Sequence, residues 1–176
     1  LFPDAGALLC IGKDARNFRT ATIEEHGREA MASAALIVPC YMTAREGVTQ
    51  DGKPSAHAKS NTGERRFIVC DFDEPKPEDH PRIIRHLAKF RQLVCVVSSG
   101  GKSLHAWFPA LGEEADETFW KLAIFLGADP ALMRNRSSFV RMPGGLRDNG
   151  NRQVVHYFDL AAAKDVFIRT NGGSAK

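Results

Sequence analysis

Three short apolar runs in the middle of the chain constrain its fold more than any other feature: Phe67-Ile68-Val69-Cys70, Leu93-Val94-Cys95-Val96-Val97 and Leu104-His105-Ala106-Trp107-Phe108. Each is too short for a buried helix and is closed by charges or turn residues, so each reads as a strand. The spans expected are Arg66 to Phe72, Leu93 to Val97 and Leu104 to Phe108. A helix is expected from Arg82 to Phe90. Another runs from Glu113 to Leu126, with Phe119, Leu122, Ala123 and Leu126 on one side. Further on come Ser138 to Met142, a Pro143-Gly144-Gly145 turn, a hairpin turn at Asp148-Asn149-Gly150-Asn151, and a closing strand from Gln153 to Phe158.

Upstream, Glu24 to Ala35 has helical composition broken by Gly27 and leads into a strand at Leu36 to Val38. Thr43 to Gly63 is polar and turn-rich and reads as a long loop. Two strands adjacent across a short loop, mixed with helices, point to the α+β class: an antiparallel or mixed sheet covered by helices. Thr170 to Lys176 reads as a tail or linker.

Composition excludes several alternatives. At 176 residues and 43% hydrophobic, the chain has material for one domain with its own core. No run approaches the ~20 apolar residues of a membrane helix, and no secretory signal opens it. It begins at Leu1 rather than Met and reads as a piece of something longer. Cys10, Cys40, Cys70 and Cys95 lack the spacing of a disulfide scaffold or zinc ribbon. Cys70 and Cys95 read as core residues of a reducing cytoplasm. A net charge of +3 is mild, but Arg134, Arg136, Arg141, Arg147 and Arg152 cluster with one acid, Asp148, among them. Such a cluster is either a solvated face or a set of phosphate contacts.

Three stretches carry candidate chemistry. Residues two apart on a strand share a face, so Asp71 and Asp73 stand together while Ile68, Cys70 and Phe72 face the core. Two adjacent carboxylates are costly without a cation, and oxygen-only ligands suit Mg²⁺ or Mn²⁺. The competing reading is a surface turn before Pro75-Lys76-Pro77. Next, Ser98-Ser99-Gly100-Gly101-Lys102-Ser103 joins two apolar strands, the second carrying His105. Its glycines and donors suit an anion. It is not a Walker loop, because the required first glycine falls at Val96 and a strand follows. His105 is either a core histidine or a phosphate contact. Third, Arg141 in an apolar setting either reaches solvent or meets an anion. Asp129 before Pro130 is either a helix cap or a further metal ligand.

In this order the pieces resemble the archaeo-eukaryotic primase superfamily. Ile68-Val69-Cys70-Asp71-Phe72-Asp73 matches its strand ending in Asp-x-Asp, and Ser103-Leu104-His105 matches its Ser-x-His strand. Residues 49–55, 61–67 and 139–143 are similar to segments of phage and plasmid primase-like proteins. The resemblance implies a catalytic domain over residues 1–165. An N-terminal α/β unit would span about 1–63, a core related to RNA-recognition modules about 64–160, and a tail 166–176. It implies metal binding by Asp71, Asp73 and a third acid, Asp129 in preference to Asp159. The incoming nucleotide would be held by His105 with Ser99, Gly101, Lys102, Ser103 and Arg141. Arg134, Arg136, Arg147 and Arg152 would track a single-stranded DNA template.

The activity implied is template-directed nucleotidyl transfer from NTPs or dNTPs, in a phage or plasmid replication setting with a replicative helicase. Alternatives are a catalytically inactive nucleic-acid-binding module of the same fold, and a nuclease using the same acids. A replication-initiator nickase fits poorly, since His105 has no partner two residues away and the only tyrosines are Tyr41 and Tyr157.

Overall fold

The computed structural model describes residues 1–73 and 76–171, the last five of them as backbone only. The chain is α+β, and every strand pairing in it is antiparallel. It opens with a hairpin, β1 (Leu8–Gly12) and β2 (Phe18–Thr22). Asp14 shapes the turn by accepting the Arg16 and Asn17 amides at 2.7 and 2.8 Å. Helix α1 (Ile23–Ser33) starts in a capping box: Thr22 Oγ1 accepts the Glu25 amide and Glu25 accepts the Thr22 amide. Gly27, at φ 72°, kinks it where the composition indicated a break.

Strand β3 (Leu36–Ile37) follows, and the polar stretch after it is ordered rather than a bare loop. It contains the small hairpin β4 (Gly47–Val48) and β5 (Pro54–Ser55) and a 3₁₀ turn at Lys59–Asn61. The buried Asn61 amide holds this stretch together, accepting from Ala58 N and donating to Ala44 O and Ala56 O. One buried side chain thereby replaces a regular ladder.

The central elements are β6 (Phe67–Phe72), α2 (His80–Leu87), β7 (Cys95–Ser98), β8 (Leu104–Pro109) and α3 (Glu113–Phe125). Then come α4 (Ala131–Arg134), β9 (Val140–Arg141), β10 (Val155–Phe158) and α5 (Leu160–Asn171). The main sheet has the order β10-β7-β8-β6 and a second sheet the order β2-β1-β3-β9. Alternation along the strands divides the core in two. Ile68, Cys70, Phe72, Val96, Ala106 and Phe108 pack under Ile84 and Leu87 of α2 and Phe119, Trp120 and Ala123 of α3. On the other face Phe67, Val69, Cys95, Val97 and Trp107 meet Leu9, Ile11, Ile37, Val140 and Met142 of the second sheet, and Val166 of α5. Cover on both faces is why β6, β7 and β8 read as unbroken apolar runs.

Details differ from the sequence reading. On α3 the buried residues are Asp116, Phe119, Trp120 and Ala123, with Leu122 and Leu126 only partly buried. The N-terminal sheet is completed by β9, far along the chain, so its strands do not all lie within residues 1–63. Helix α5 runs through the expected break at 165/166, and Val166 is buried. Of the expected tail, 172–176 lie outside the described residues. All four cysteines are buried and free, as the core reading of Cys70 and Cys95 required. Among the described residues no helix is long and apolar enough to cross a membrane.

Candidate active site

Antiparallel pairing of β6 with β8 sets Asp71 directly opposite His105, and β7 sets Val97 on the other side of the same histidine. Asp71, His105 and Val97 therefore share a row, on the sheet face that meets β3 and β9. Two residues back along each strand this face is apolar, at Val69, Trp107 and Cys95; at this row it turns polar. His105 Nε2 lies 3.3 Å from Asp71 Oδ2, with the imidazole side chain 5% exposed and the carboxylate 18%. Asp73 follows, exposed, just past the strand end.

The electrostatics are unbalanced. Burial, then the charge of Asp73 and that of Asp129, push the Asp71 carboxyl up to about 6, against the opposing pull of Ser103 and Arg141. Burial first and Arg141 second hold His105 down to about 3, so its imidazole is neutral at physiological pH. The contact is thus a neutral ring against a carboxylate, not an ion pair. It favours the Nε2–H tautomer, which leaves Nδ1 a buried lone pair. Asp71 Oδ1 and His105 Nδ1 are both buried without a hydrogen-bond partner. Orphaned polar atoms of this kind are costly in a fold that gains nothing else from them.

Asp129 belongs to the same neighbourhood: its amide donates to the Asp71 carbonyl at 2.9 Å. Its carboxylate Oδ1 accepts the Ala131 amide at 2.8 Å as α4 begins, so the capping role is also realised. Asp159 sits elsewhere. It accepts the Ala162 amide at the start of α5, and its own amide donates to Val94 O. Val94 lies three residues along β7's path from Val97, about 10 Å from the Asp71 row. Of the two acids weighed as third ligand, only Asp129 neighbours Asp71.

Ser99 organises the glycine loop. Its amide donates to Ser103 O at 2.9 Å, and its Oγ accepts the Gly101 and Ser103 amides at 3.3 Å. Two amides expected to face an anion are thereby directed at Ser99, while Lys102 stands exposed at the tip. Gly100 has φ 72°, and a Cβ there would lie 3.0 Å from Arg147 Cδ. That arginine arrives on the 146–152 hairpin, closed by the Leu146↔Arg152 bridge, and donates to Ser99 O at 3.3 Å. Asn151 Nδ2 donates to Gly100 O at 3.0 Å. Arg147 and Asn151 thus brace the loop, a role the sequence reading missed; its turn residues announced the hairpin but not what it packs on.

Arg141 is half-buried and forms no ion pair among the described residues. Burial lowers it most, Arg147 next, while Asp71, Asp148 and Asp73 favour its charge. Of the arginines expected to track a template, Arg134 on α4, Arg136 (donating to Lys59 O) and Arg152 (donating to Gly144 O) are exposed. Among the described residues no three His, Cys, Asp or Glu side chains are arranged to hold a metal ion together.

Neither a family model, nor a curated protein, nor a solved structure matches this chain.

Two carboxylates crowded at a strand end, one with an unsatisfied buried oxygen, form a hard all-oxygen donor set. A divalent cation would satisfy that oxygen and relieve the repulsion, so the residues present fit Mg²⁺ or Mn²⁺.

Proposed function

We propose that the chain is the catalytic domain of a DNA primase or primase-polymerase, making or extending primers on single-stranded DNA. The observation that carries this reading is the pairing of Asp71 with His105 across adjacent strands, with Asp73 and the Asp129 backbone beside them. Asp71 and Asp73 would hold the metal ions, with Asp129 joining once its carboxylate leaves the Ala131 amide. Bound Mg²⁺ or Mn²⁺ supplies activation of a 3′-hydroxyl and stabilisation of the departing pyrophosphate. His105, expected first as a phosphate contact, is buried against Asp71 and so acts by fixing that carboxylate's orientation. Lys102 and Arg141 neutralise charge on the triphosphate, and Ser99 keeps Gly101 and Ser103 in the shape of the loop. Arg134, Arg136 and Arg152 meet the template backbone, while Arg147 braces the loop.

A β-α-β-β-α-β element order over β6 to β10, interrupted by α4 and β9, supports a core related to RNA-recognition modules, from which the sheet departs in pairing β10 with β7 rather than with β6. Substrates would be NTPs or dNTPs, the setting the cytoplasm of a phage- or plasmid-bearing host, and a replicative helicase the partner.

The test is incubation with a single-stranded template, Mn²⁺ and separately labelled NTPs and dNTPs, without primer. Extension products are expected from the wild type and none from Asp71→Ala or Asp73→Ala. Synthesis retained by either variant would refute the assignment.

A second reading has its own support: the Asp129 carboxylate is occupied by the Ala131 amide. On that reading the domain is a catalytically inactive nucleic-acid-binding module. Template would then be bound in EDTA and no nucleotide incorporated by the wild type.

A further inference from the structure

Between the β1–β2 hairpin and α1 lies an open cleft of about 360 Å³, lined by Lys13, Arg19, His26, Ala30, Ser33 and neighbouring residues. That volume is in the range of small-ligand sites, ~300–1,000 Å³. The lining carries two cations and no acid. Nearby acids are otherwise engaged: Asp14 with the turn amides and Asn17, Glu25 with Arg45. Glu24 and Glu29 are exposed and outside the lining. Lys13 and Arg19 are themselves exposed and form no ion pair among the described residues. Apolar Ile11, Ala30 and Ala34 complete the walls, giving one charged and one apolar portion.

The cleft is also tied to the loop at the sheet site. Its rim residue Ala34 accepts the Leu146 amide at 3.2 Å, and Ala35 O accepts Gln153 Nε2 at 2.9 Å. The 146–152 hairpin that braces Gly100 therefore also buttresses this cleft.

We propose that the cleft is a second anion site, which takes a phosphate group on Lys13 and Arg19 and lays the attached sugar or base against Ala30 and Ala34. The phosphate comes from a free nucleotide or from a single-stranded nucleic-acid segment. The inference rests on the cleft's own charge and shape and does not require Asp71 and Asp73 to be catalytic.

The test is binding of two labelled probes, dTTP and an oligothymidylate, to the full chain in EDTA at low salt. Lys13→Glu with Arg19→Glu reverses the charge, and Ala30→Trp fills the cleft without changing it. All three positions are exposed, so the variants are expected to fold, which circular dichroism checks. For at least one probe, both variants should weaken binding tenfold or more, whereas Lys89→Glu, a charge reversal at an exposed position outside both sites, should bind as the wild type does. If the oligonucleotide is the ligand, the charge reversal should also reduce the salt slope by about 1.4, two phosphates' worth for a single strand. Loss confined to dTTP assigns the site to a free nucleotide. The proposal is overturned if neither probe binds, or if both bind the two variants like wild type while Arg134→Glu with Arg152→Glu abolishes binding.

Discussion

At the Pro109 end of β8, Asp116 is buried in full company. Arg91 donates to it and to Pro109 O and Ala115 O, the Leu111 amide adds a bond at 2.9 Å, and Phe119 lies 4.4 Å under the guanidinium. Beside the other end of the same strand Asp71 of β6 is also largely buried, but its company is a neutral histidine, the Ser103 hydroxyl, two further acids and Arg141, with which it forms no ion pair among the described residues, and its Oδ1 has no hydrogen-bond partner. The two ends of β8 thus border different environments: a satisfied buried carboxylate from α3 at one, and a carboxylate from β6 with an unpartnered oxygen at the other. The first arrangement fixes structure. The second leaves a buried oxygen that a cation, on the function proposed above, would satisfy.

The comparison is tested most strongly by activity. Asp71→Ala or Asp73→Ala should lower primer synthesis at least ~10³-fold, about 4 kcal/mol of transition-state stabilisation, with little change in melting temperature. Activity insensitive to these variants would put the two ends of β8 on the same footing.

Stability should show the reverse order. Arg91→Ala strands Asp116 as a buried charge and should cost about 3–5 kcal/mol, lowering Tm by roughly 10 °C for a domain of this size. Asp71→Asn, which removes a crowded charge, should cost less than ~1 kcal/mol or stabilise. Urea titration of both variants decides the ranking.

The pH dependence sharpens it further. Asp71 titrates higher in the folded chain, about 6, than in the unfolded one, so the folded state holds its proton more tightly. That contribution to stability is present in acid and is lost as pH rises through about 6. His105, held down to about 3, runs the opposite way: its contribution is present near neutrality and is lost as pH falls toward 3. The two oppose each other between about 4 and 6. Asp71→Asn should therefore make the protein more acid-sensitive across that window, and His105→Gln less so. Denaturation midpoints at pH 4.5 and 7 measure both.

The smallest effect expected is at the loop. Gly100→Ala forces φ 72° on an L-residue and presses Arg147 Cδ, for roughly 1–2 kcal/mol. Its Tm should fall, and Arg147→Ala in the same chain should then cost less than it does alone.

Strands β6, β7 and β8 and helix α3 were legible because double cover makes a strand uniformly apolar and single cover makes a helix amphipathic. The β1–β2 hairpin was missed, although Leu8 to Ile11 is an apolar run. Helix α5 was missed altogether, although Asp159 before Leu160-Ala161-Ala162-Ala163 is a cap followed by strong helix formers. Asp71 and Asp73 stood out because strand alternation would put them on one face; β6 ends at Phe72 and Asp73 lies just past it. That His105 would lie opposite Asp71 depends on strand register, which spacing alone does not encode. Arg147 against Gly100 and β9 against β3 are long-range pairings set by packing, with no local signature.

On the function proposed above, the Asp71 end of β8 takes a divalent cation and the Asp116 end does not. Mn²⁺ binding followed by electron paramagnetic resonance tests it directly on the wild type, Asp71→Asn, Asp73→Asn and Asp116→Asn. The account predicts binding by the wild type, loss in the first two variants and retention in the folded fraction of the third. Wild-type protein that leaves Mn²⁺ free, or Asp71→Asn protein that binds it unchanged, would contradict it.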